Sequence, residues 1–165
     1  MNSLLTVVRR FVSGLFVLTF FYASAASAGG EVYLSLTNVS DGVVIELTED
    51  DLLAMDQFTV HTENEFVDGL AEFTGPLARD VIALLNASEI EMLHFIAVND
   101  YAVEVPMSDI LDFDVIFAMS QNGVRLSIRD KGPIWVIYPM SDNVELQDRV
   151  YNDRLIWQLI KVEAL

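Results

Sequence analysis

Apolar and polar residues alternate from Val32 to Leu36 and again from Val43 to Leu47, and the stretch between them, Asn38 to Gly42, is built of turn formers. A period of two marks a strand with one buried face, so the two runs predict an opening hairpin. Thr48 follows, with Asp51 three residues on. A hydroxyl and a carboxylate at that spacing satisfy free amides at a helix start and predict a short helix through about Met55. The same cap accounts for the acidic triplet Glu49, Asp50 and Asp51 without a metal, since anions are favoured at a helix N-terminus and no calcium-loop spacing is present. Phe58 to Thr62 predicts another strand. Gly75 and Pro76 then open the clearest helical pattern, with Leu77, Val81, Leu84 and Leu85 on one face and Asn86 at its end. Strands are predicted at Met92–Val98, Tyr101–Val105, Asp114–Met119, Val124–Ile128 and Ile134–Tyr138, with tight turns at Asn99-Asp100 and Asn122-Gly123. A helix over Val144–Tyr151 and a strand over Ile156–Val162 close the pattern. Strands predominate and no repeat or linker interrupts them, so the class expected is α+β, mainly β.

The first 28 residues follow a different rule. Arg9 and Arg10 precede the apolar run Phe11 to Tyr22, and small residues then lead to Ala26, Ser27 and Ala28. A basic start, an apolar centre of about a dozen residues and a small-x-small end make a secretory signal peptide. The run is shorter than the roughly 20 residues a membrane span needs. Cleavage after Ala28 is expected, with residues 29–165 forming a single domain in the periplasm that is not held in the membrane.

Acidity limits what the domain binds. The chain has 25 acidic residues against nine basic, a net charge of -16, while 53% of its residues are hydrophobic. That apolar share is too high for disorder, and the charge repels phosphate backbones and anionic lipid, which excludes nucleic acid as a partner. The chain contains no cysteine. Disulfides, thiolate metal sites and cysteine nucleophiles go together with it. Serine-hydrolase elbows, phosphate loops and dinucleotide glycine fingerprints are absent as well.

Several segments carry a resemblance. Asn99 to Pro106, Asn122 to Pro133 with its continuation Ile134 to Pro139, and the closing Ile156 to Val162 are similar to the molybdopterin-binding domain of sulfite-oxidase-type oxidoreductases, in particular to short exported bacterial members. Phe73 to Leu77 running into Asp80 to Leu85 resembles the family's entry to a helix, and the likeness extends from about Phe58 to Leu165. The resemblance implies a trimmed version of that fold and a scaffold for a molybdenum-bearing pterin. It also implies a cysteine thiolate on the metal, around where this chain has Thr59 to Glu63. The histidine of the family's glycine-proline corner falls on Lys131, and the lysine preceding its closing tryptophan falls on Ile156. A harder ligand does not replace a thiolate without changing the metal and its potential. Two readings follow from the resemblance. One is an accessory module without a bound cofactor, recognising a small anionic ligand or a periplasmic or membrane partner in signalling or redox work. The other is a molybdopterin oxidoreductase with atypical attachment.

The candidate site residues are few. Arg125, Arg129 and Lys131 lie within seven positions beside a glycine-proline corner, in a chain with few cations. Strand alternation from Val124 would align Arg125, Ser127 and Arg129 on one face, where guanidinium groups fork onto carboxylate, phosphate or sulfonate. The alternative is that these cations pair with neighbouring carboxylates such as Asp130 and stiffen the corner. Tyr101, after the Asn99-Asp100 turn, and Trp135, after the cationic corner, are candidates for the mouth of a pocket; the alternative for both is a structural role. His61 sits close to the expected thiolate position, and His94 lies between Leu93 and Phe95, where alternation points it outward. No close-spaced ligand pair joins them, so no metal site is expected.

Overall fold

The computed structural model describes residues 30–165 except Ser88. The expected signal peptide over residues 1–28 lies outside the described residues. Among those described, no helix is long and apolar enough to cross a membrane.

The opening hairpin forms as expected. Strands β1 (Val32–Asn38) and β2 (Val44–Thr48) pair antiparallel. Their turn closes on Asx bonds, Ser40 N to Asn38 Oδ1 at 3.0 Å and Val43 N to Asp41 Oδ1 at 3.0 Å. Helix α1 (Glu49–Ala54) starts with a full capping box between Thr48 and Asp51. Strands β3 (Gln57–Thr62) and β4 (Ala71–Pro76) form a second hairpin, and helix α2 (Ala78–Ala83) follows β4. Next come β5 (Met92–Ala97), β6 (Ala102–Pro106) and helix α3 (Met107–Asp112). Short strands β7 (Ile116–Ala118), β8 (Ser120–Gln121), β9 (Val124–Arg125) and β10 (Trp135–Ile137) are followed by helix α4 (Arg149–Asn152) and β11 (Leu159–Ala164).

Three sheets result. A five-stranded sheet runs β2-β1-β11-β5-β6, with β11 parallel to β1 and antiparallel to β5. A four-stranded sheet runs β3-β4-β8-β9, and β7 pairs with β10 between them. The β7–β10 pair is buried on both faces. Phe117 and Val136 point into the larger core with Leu36, Phe95 and Val162, while Ile116, Ala118, Trp135 and Ile137 fill a smaller core with Phe73 and Leu126. This is why Val115 to Met119 and Ile134 to Tyr138 are unbroken apolar runs rather than alternating ones. Gly75 lets β4 cross this wall closely, because a Cβ there would lie 2.0 Å from the Phe117 carbonyl oxygen.

Three expectations need correction. The helix expected over Val144–Tyr151 is broken at the extended Asp148 into a 3-10 turn, Val144–Gln147, and helix α4. Gly75 and Pro76 end β4 instead of opening the helix, which starts at Ala78 and buries Ala78, Val81 and Ile82, while Leu84 is exposed. Pairing with β3 decides this: Gly75 stands opposite Phe58 and Pro76 opposite Gln57, so their backbone is committed to a sheet. The strand from Val124 stops at Arg125, and Ile128 to Asp130 coils into a single 3-10 turn. Arg125, Ser127 and Arg129 therefore do not share a strand face. The Ser127 carbonyl closes this turn, accepting from Asp130 N at 2.9 Å and from Gly132 N at 2.7 Å.

Candidate functional site

Two cavities adjoin at Asn152. The first, about 280 Å³, is an open cleft walled by Phe66, Tyr101 and Trp157, with Asn99, Asn152 and Asp153 supplying polar groups. Sequence-distant loops build it. The β5–β6 turn passes through Asp100 at φ 63°, and Asn99 Oδ1 accepts from Tyr101 N at 3.2 Å. The Tyr101 hydroxyl donates to the Asp153 carbonyl at 3.1 Å, which ties that turn to the end of α4. Phe66 meets Trp157 edge-on, with ring centroids 4.9 Å apart, and Trp157 in turn meets Trp135 at 6.4 Å. Such edge-to-face pairs hold ring orientation as well as burying area.

The second cavity, about 350 Å³, is lined by Glu63, Asn64, Glu65, Ser141 and Gln147 together with Asn152. It begins where β3 ends. Thr62 is fully buried; its hydroxyl donates to the Glu63 carbonyl at 3.1 Å and accepts from Ser141 N at 3.1 Å. Ser141 Oγ accepts from Glu63 N at 2.9 Å. Hydroxyl groups thus occupy the end of β3. The Asn64 Oδ1 turns the chain by accepting from Phe66 N at 2.9 Å, placing Glu65 beside one cavity and Phe66 in the other.

Behind the cleft wall sits a buried ionic network. Arg154 Nη1 lies 2.5 Å from Asp109 Oδ2, and the Tyr138 hydroxyl donates to the same oxygen at 3.1 Å. Burial, then the Asp109 charge, pushes the Tyr138 phenol well above its ordinary value, so it stays a donor. The guanidinium also lies 5.1 Å from the ring centre of Tyr151, whose phenol is raised by burial first and then by Asp109. Arg154 thereby fixes the segment that carries Asn152, Asp153 and Trp157.

The sequence candidates are dispersed. Tyr101 lines the cleft. Trp135 does not reach its mouth: it is wholly buried against Phe73, and its indole N–H donates to the Leu155 carbonyl at 3.1 Å. The correction has a physical cause, as β10 is sandwiched between two cores. Lys131 Nζ donates to the Phe66 carbonyl at 3.1 Å and stands 4.7 Å over the Trp135 ring, pinning the Phe66 loop. Arg125 is paired with Glu49 on α1, and Arg129 is exposed with no ion pair among the described residues. His61 is exposed and paired with Glu72 at 3.3 Å, beside Phe58 and Asp114 in a separate surface hollow. His94 faces Glu163 at 3.4 Å on the five-stranded sheet. No basic side chain lines either adjoining cavity, and no group of three metal-ligating side chains occurs among the described residues.

Phe66, Asn152, Asp153, Asp109 and Arg154 escaped the sequence reading. Phe66 had a signal, as a lone ring in the polar stretch Thr62 to Gly69. Asp109 and Arg154 had none, being ordinary charges in a charged sequence until the fold buries them.

The comparisons agree with this architecture. The family described as oxidoreductase molybdopterin binding domain matches residues 43–141, more than half of the chain, and the chain belongs to that family. Among solved structures it is similar to the sulfane dehydrogenase SoxCD from Paracoccus pantotrophus, with a TM-score of 0.60 and 16% sequence identity over 79% of this chain. The match spans 37% of that relative's length. None of the curated proteins matches.

Proposed function

We propose that the chain is an exported, non-catalytic ligand-binding member of this family, which keeps the scaffold and takes a small planar molecule into the cleft between Phe66, Tyr101 and Trp157. The observation that carries this reading is the cleft itself: three rings with two amide side chains and the Asp153 carboxylate, apolar walls with a few polar groups, the makeup of a recognition site. The donor set argues against a thiolate-held molybdenum. The chain has no cysteine, and Thr62 and Ser141 present bonded hydroxyls at the end of β3. Neither oxygen is the soft donor that such a metal site uses. The adjoining cavities, lined by Asp153, Glu63 and Glu65, offer no cation to an anionic pterin. Of the three cations expected to attract an anion, Arg125 is paired with Glu49 and Lys131 is bonded to the Phe66 carbonyl, which leaves Arg129 exposed.

The two tryptophans report the site separately. Titration with naphthylmethanol, followed by proton–nitrogen NMR, is expected to move the Trp157 indole resonance and the amides of Tyr101 and Asn152. Trp135, bonded to Leu155, should shift far less. Saturating probe without movement at Trp157, or unchanged affinity in Trp157→Ala, would overturn the reading.

Family membership supports a second reading, a molybdopterin oxidoreductase whose pterin is held without a protein thiolate. Its signature is pterin and molybdenum that accompany the protein through purification.

A further inference from the structure

Resting on the ligand-binding reading, we infer that the cleft's ligand joins a planar ring to a positively charged arm, with the ring between Phe66, Tyr101 and Trp157 and the arm passing Asn152 toward Glu63 and Glu65. The first support is continuity, because Asn152 lines both cavities, so a ligand that fills the aromatic one abuts the acidic one. The second is the state of the carboxylates. Like most carboxylates of this acidic chain, Glu63 and Glu65 belong to no ion pair among the described residues, and both line the second cavity with their charge unneutralised.

The cations nearby are held by the protein and line neither cavity. Lys131 is bonded to the Phe66 carbonyl and covers Trp135, and Arg154 is turned back onto Asp109. Asp153 adds a third carboxylate at the aromatic end. Ring faces carry negative quadrupole density and attract a cation, which the same rings would not do for an anion. The net charge of -16 acts in the same direction at longer range. An amine-bearing aromatic satisfies all of these groups, while a carboxylate- or phosphate-bearing one meets three carboxylates, Asp153, Glu63 and Glu65, that are in no ion pair among the described residues.

One ring with three charges tests this. Naphthylmethylamine, naphthylmethanol and naphthoate are titrated into the purified protein at low salt, with the Trp157 indole resonance as readout. The amine is expected to bind about tenfold tighter than naphthoate, with the alcohol between, and about 1 M salt should narrow the spread. In Glu63→Gln/Glu65→Gln the amine-to-alcohol affinity ratio should fall toward one. Both positions are exposed, so the variant retains the fold. Naphthoate binding as tightly as the amine, or a ratio unchanged in the double variant, overturns the inference while leaving the aromatic cleft intact. Failure of all three compounds to move Trp157 overturns the ligand-binding reading and the inference with it.

Discussion

A guanidinium and a carboxylate withdrawn from water lose more in desolvation than their attraction returns, unless their remaining donors and acceptors are bonded. Asp109 meets that condition through Arg154 and Tyr138, with the two ionic side chains 8% and 15% exposed. Removing one partner strands the other. Asp109→Ala is therefore expected to cost about 3 kcal/mol or more in urea unfolding, and a loss under about 1 kcal/mol, the range of an exposed pair, would contradict the network. A second residue effect concerns acid. The Thr48 hydroxyl, and then its backbone N–H, hold the Asp51 carboxyl below the usual carboxylate range. The unfolded chain binds that proton more readily than the folded one, so the cap's contribution is present above the unfolded value and is lost as pH falls through the folded one. Between about pH 5 and about pH 3 the melting temperature of the native protein should drop more steeply than that of Asp51→Asn. Parallel curves would contradict this.

At the scale of elements, strands were readable, including β7 and β10 buried on both faces, and boundaries fixed by tertiary contact were not. The β1–β2 hairpin, the capping box of α1 and the alternating β5 each satisfied a local rule, and each formed. Gly75-Pro76 satisfied the rule for a helix start and became the end of a strand, because pairing with β3 outweighs a local preference. Helix α3, six residues directly after Pro106, was too short to show a period. The strand predicted beyond Arg125 ended there, although Leu126 N still donates to the Met119 carbonyl, because the Ser127 carbonyl accepts from both Asp130 N and Gly132 N and turns the chain away. The Gly75 crossing yields a sharp expectation. A methyl there meets the Phe117 carbonyl on backbone that cannot yield, so Gly75→Ala should lower the melting temperature by about 10 °C or more, or prevent folding. A shift within about 2 °C would show that β4 and β7 do not approach as closely as described.

At the scale of the whole molecule, the family was legible in the sequence and the site largely was not. Motifs around Asn99, Asn122 and Ile156 pointed to the fold that the family match and the likeness to SoxCD support. Tyr101 was recognised as a candidate and lines the cleft. The rest of that cleft comes from Phe66, 35 positions earlier in the chain, and from Asn152 to Trp157, about 50 positions later. No periodicity links residues so far apart. The basic cluster is divided among different partners: Arg125 is paired with Glu49, Lys131 is bonded to the Phe66 carbonyl, and Arg129 is exposed on a turn.

The central claim is that this scaffold works without a thiolate-bound metal, and it is tested most directly by measuring molybdenum and extractable pterin in protein purified from a host that makes the cofactor. We expect neither above about a tenth of a molar equivalent, since the end of β3 offers hydroxyls and the cavities offer carboxylates. Molybdenum and pterin near one equivalent per chain, in a state that substrate reduces, would contradict the account.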